Sequence, residues 1–91
     1  MAKNAIIDSK KSIIENYNMV FEKIAHAKTV DDVRSMVATA KAFISMYKKV
    51  DKEMVNRIYE KLQTKMHDLI DENAFVYERM NNRVEEIRNR I

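Results

Sequence analysis

The sequence contains no glycine, proline, cysteine or tryptophan. Without cysteine there is no disulfide and no thiol nucleophile, and without glycine there is neither a glycine-rich phosphate loop nor a nucleophile elbow. Without proline or glycine the chain also lacks the two strongest helix breakers. No apolar run approaches the roughly 20 residues of a membrane span, and none of signal-peptide length lies near Met1, so the expectation is a cytoplasmic protein with no membrane partner.

What remains is a helical alphabet. Lys, Asn, Ile, Glu and Tyr are abundant, as an AT-rich genome favours, which suits a bacterial, archaeal, viral or mobile-element source. The net charge is +3 over 91 residues. The excess is uneven: residues 1–50 carry nine bases against five acids, and residues 51–91 carry eight against nine.

Ile6, Ile7, Ile13, Ile14, Tyr17, Val20, Phe21 and Ile24 recur at helical spacing and predict a first helix over about 4–27. Thr29 followed by Asp31 and Asp32 reads as an N-cap with an acid at the third helical position. A second helix over about 30–49 follows, its inner face made by Val33, Met36, Val37, Ala40, Phe43, Ile44 and Tyr47. Asp51 is the next cap. From there an apolar residue recurs every three or four positions through Val55, Ile58, Leu62, Met66, Leu69, Val76, Met80, Val84, Ile87 and Ile91, with Asn73 standing on the same stripe.

The expected fold is therefore all-α and of one domain, a three-helix antiparallel bundle whose third helix spans about 52–90. At about 1.5 Å per residue that helix would be nearly 60 Å long, against roughly 36 and 30 Å for its neighbours. Its distal part would overhang, and a second copy of the chain is the expected cover, making a homo-oligomer, with a dimer favoured. In this layout Asn73, Val76, Met80, Val84 and Ile87 form the oligomer interface, and Asn73 fixes register. The alternative is a compact four-helix bundle with a turn near Asp71–Ala74, capped by Asn73.

Catalytic constellations are sparse. His26 and His67 have a carboxylate four residues away, in Glu22 and Asp71, but neither belongs to a Glu-x-x-His pair or a His-Glu-x-x-His motif, and no metal or other cofactor is expected. None of Ser9, Ser12, Ser35 or Ser45 has a histidine at helical spacing. Adjacent acids at Asp31 and Asp32, Asp71 and Glu72, and Glu85 and Glu86 suit helix starts and solvated partners. The seven methionines read as core filler, with an adaptable binding groove as the lesser reading. No enzyme is expected.

The strongest functional surface is on the second helix. Arg34, Lys41 and Lys48 are seven residues apart, Lys49 extends the patch, and no acid occurs from Val33 to Lys49. Arg79, Arg83, Arg88 and Arg90 are mixed with Glu78, Glu85 and Glu86, a composition suited to the rim between helices. The chain carries no helix-turn-helix, zipper-type basic-region or ferritin-like motif. The first functional expectation is a non-catalytic helical module, a homo-oligomeric regulator, inhibitor or assembly factor that docks on another macromolecule, with a protein of unknown identity as the partner. The alternative is a nucleic-acid-associated subunit contacting phosphates through Arg34, Lys41, Lys48 and Lys49.

Overall fold

The computed structural model describes residues 11–91. Three helices are assigned by hydrogen bonding, α1 (Ile13–His26), α2 (Val30–Tyr47) and α3 (Lys52–Arg88). Among the described residues no helix is long and apolar enough to cross a membrane.

Each helix starts on a side-chain cap. The Glu15 N–H donates to Ser12 Oγ (3.2 Å) and the Ser12 N–H to Glu15 Oε1 (3.0 Å). This reciprocal box satisfies two of the otherwise unpaired backbone donors at the helix start. Because Ser12 is extended (φ −67°, ψ 160°), no helix runs through it. The first helix thus begins at Ile13, and the expected start at Asn4 lies outside the described residues. Thr29 and Asp32 form a second box, as the sequence predicts, with distances of 3.0 and 3.1 Å. The Lys28 and Thr29 N–H groups, donating to the Asp32 carboxylate, hold its pKa below the usual value. Asp51 caps α3 by accepting from the Met54 N–H (3.1 Å).

The main departure from expectation lies inside α3. Asn73 leaves helical geometry (φ −156°, ψ 83°), and its Oδ1 accepts from the Val76 N–H at 3.2 Å. Asn73 is thus the N-cap of a new helical segment, 74–88, and is solvent-exposed, not buried at a two-fold axis. An unbroken helix of 37 residues would measure about 55 Å, whereas the described residues extend only 37 × 30 × 17 Å. The segment turns back on the chain.

The contacts fix the direction of each segment. Asn16, early in α1, donates to the hydroxyl of Tyr47 at the end of α2 (2.7 Å), so α1 and α2 run in opposite senses. The Lys61 ammonium lies 4.9 Å from the Phe21 ring centroid and Lys65 donates to the Ala25 carbonyl, which sets residues 52–72 alongside α1 in the same sense. Val30 shares a cleft with Phe75, and Lys48 reaches the Arg90 carbonyl, so 74–88 follows α2 in the same sense.

One core serves all four segments. Phe43 is fully buried between Tyr17 and Tyr47, at ring-centroid distances of 6.2 and 4.8 Å. Ile58, Leu62 and Met66 of α3 are fully buried too. After the break Tyr77, Met80, Val84 and Ile87 are buried in the same cluster, with Val84 at 0% exposure. Part of the stripe expected at the oligomer interface lies inside this core. Met80, Val84 and Ile87 face the chain's own core, Val76 in the first turn of the segment is half-buried against it, and Asn73 is a cap. The stripe thus has a cover within the chain.

If Asn73 acts as a cap, Asn73→Ala should cost about 1 kcal/mol, lowering the thermal midpoint by roughly 4–8 °C with unchanged solution mass. A rise in melting temperature, or a change in mass, would instead favour a register role between copies.

Candidate functional site

The outward face of α2 carries Arg34 and Lys41, both exposed, with the small Ala38 between them. Segment 74–88 lies beside this face. Its Met80 and Ile87 meet Val37 at the bottom of a cleft of about 310 Å³, and Arg34, Lys41, Arg83 and Arg90 line the walls, with Glu86 the one acid in the lining. A second cleft of about 430 Å³ shares Arg34, Met80 and Arg83 with the first and adds Val30, Phe75, Val76 and Arg79, with no acid in its lining. The two clefts are neighbours that share these three residues. Arg34, Lys41, Arg79 and Arg83 of two helices, with Arg90 just past the end of α3, thus flank these adjoining apolar-floored clefts, which together make a trough.

Helical spacing is what sorts them. Arg79, Arg83 and Glu86 step by four and three residues, so they share the face turned to α2, and Arg90, just past the end of α3, lines the same cleft. Glu85 and Arg88 belong to the other side of the segment, where Arg88 and Ile91 approach Asn56 and Tyr59. The mixed charges of the tail, read from composition as a rim, thus separate into a basic face and a mixed one. On the mixed side the buried Tyr59 phenol has no hydrogen-bond partner among the described residues. Burial pushes its pKa up, Arg88 pulls it down and Glu85 adds a smaller upward push.

The four expected contact residues fare differently. Arg34 and Lys41 come together in the trough. Lys48 is half-buried, and its ammonium donates to the Arg90 carbonyl at 3.2 Å, joining the end of α2 to the end of the last segment. Lys49 is exposed and is not part of either lining. Arg79, Arg83 and Arg90, not singled out from the sequence as contacts, replace these two. Arg34 is 4.0 Å from Asp31, an exposed pair whose attraction is weak and easily screened, so its guanidinium stays available to another anion.

Other chemistry has little to build on. His26 pairs with Glu22 at 3.0 Å on the exposed face of α1, and His67 is exposed. Among the described residues no three side chains of His, Cys, Asp or Glu come together as a metal site.

No protein-family model, curated protein or solved structure matches the chain.

Proposed function

We propose that the protein is a non-catalytic binding module, a self-contained antiparallel bundle of four helical segments that holds the phosphate backbone of a nucleic acid in the trough between α2 and residues 74–88. The observation that carries this reading is the convergence of Arg34, Lys41, Arg79, Arg83 and Arg90 on one trough whose linings include a single acid, Glu86. Phosphate contacts require cations at repeated intervals along a surface and no special base-reading motif. The net charge of +3 is modest, so it is this distribution that favours a polyanion. Docking on a protein through a homo-oligomer has lost its main support, because Met80, Val84 and Ile87 are covered within the chain.

The test reverses charge on both walls. Lys48 is left alone because it joins α2 to Arg90. Arg34→Glu, Lys41→Glu and Arg83→Glu together change the trough by six charge units at exposed positions. Melting temperature should shift little, whereas binding to a labelled oligonucleotide at about 50 mM salt should weaken about 100-fold or more. Wild-type affinity should fall linearly on a log–log salt plot. Undiminished binding by the triple variant would overturn the proposal.

A further inference from the structure

Phe75 is 94% exposed, the most exposed large apolar side chain among the described residues, and no packing requirement explains it. It stands at one end of the basic trough, in the cleft that Arg34, Arg79 and Arg83 also line. Arg79 is four residues further along the same helix and so on the same face. From Phe75 to Arg88 the segment rises roughly 20 Å, with Arg79 and Arg83 along the way. A bare aromatic ring beside a row of cations combines two attractions: a flat apolar face for a base and positive charge for the phosphates that flank it.

We propose that the trough binds single-stranded nucleic acid, with an unpaired base stacked on Phe75 while Arg79, Arg83 and Arg34 hold the neighbouring phosphates. This rests on the phosphate-binding reading above and adds the strandedness of the ligand. In a duplex both faces of nearly every base are already stacked, and Phe75 has nothing to receive without unstacking a step. In a single strand the base is free, and any base will serve, because each has a π-face. The exposure of Phe75, costly to solubility on a bare surface, is accounted for by such a base.

The experiment measures fluorescence anisotropy with an oligothymidylate of about 20 nucleotides and a duplex of equal length, for wild type, Phe75→Ala and Phe75→Trp. Phe75→Ala should weaken oligothymidylate binding by about 5- to 150-fold while the salt slope stays unchanged, since no phosphate contact is lost. Phe75→Trp should retain affinity, and its indole fluorescence should be quenched by the strand. Duplex binding should be weaker in wild type and indifferent to Phe75→Ala. If Phe75→Ala binds the single strand as wild type does while the triple charge reversal abolishes binding, stacking is overturned and the phosphate reading stands. A wild-type preference for duplex overturns the proposal in the same way. If wild type binds neither oligonucleotide, both readings fail together. Loss of self-association in Phe75→Ala with unchanged oligothymidylate binding would assign the ring to contact with a second copy and overturn the proposal.

Discussion

Val84→Asp is expected to lower the thermal midpoint by about 20 °C or more, or to abolish cooperative melting altogether. Val84 has 0% exposure inside the core shared by all four segments. An aspartate there must either bury an unpaired carboxylate or drag segment 74–88 off the bundle, a loss of several kcal/mol in either case. A domain of this size has roughly 5–13 kcal/mol of stability in total. At about 4–8 °C per kcal/mol for domains of up to 100 residues, a 4 kcal/mol loss moves the midpoint by roughly 16–32 °C. Circular dichroism at 222 nm across a thermal ramp reads the change. Had the tail projected from the bundle to meet a second copy, the same substitution would lower the solution mass and leave the melt of the remaining helices nearly intact, so that result would overturn the folded-back arrangement.

Phe43→Ala should have the next largest effect, roughly 3–5 kcal/mol or about 12–40 °C in the midpoint. Its ring fills the space between Tyr17 and Tyr47, and the Tyr47 hydroxyl accepts from Asn16 beside it. Truncation leaves a cavity and frees Tyr47 to move, so a buried hydrogen bond is weakened with the packing. Phe75→Ala is the control, since the same atoms are removed from a side chain that is almost wholly in water. Its midpoint should stay within about 0.5 kcal/mol of wild type. Equal losses in the two variants would contradict the burial pattern described above.

Much of this fold is written locally. The caps at Thr29 and Asp51 are short polar side chains just ahead of apolar periodicity, and both act as the sequence predicts. Apart from Thr39, the buried residues of α2 follow the expected stripe from Val33 to Ile44. The break at Asn73 was harder to read, for two physical reasons. Its backbone stays at negative φ, where any residue is comfortable, so no glycine marks it. The apolar spacing also continues across it, because a single non-helical residue hardly alters the count. Counting from Leu69, Val76 and Tyr77 are seven and eight positions on, and a 3.6-residue period does not choose between them. The structure buries Tyr77 and leaves Val76 half-covered.

The basic surface was half legible. Arg34 and Lys41 stood out because the second helix has no acid around them. Arg79, Arg83 and Arg90 did not, since neighbouring glutamates cancel them in any count along the chain. Their spacing, not their number, carries the information, and it becomes a surface only once the segment lies against α2. The Ser12–Glu15 box is masked in the sequence because Ile6 and Ile7 extend the apolar stripe beyond it.

The two walls of the trough belong to different parts of the chain, one to α2 and the other to the segment that begins after Asn73. Separating them at that joint would erase the trough without unwinding either helix. Any polyanion spanning both walls therefore acts as a clasp, and its binding energy opposes local opening: at a hundred times its dissociation constant the closed state gains about 2.7 kcal/mol. Hydrogen exchange of the amides in 74–88 would then slow in proportion to occupancy, so the last segment reports from within the protein whether the trough is filled.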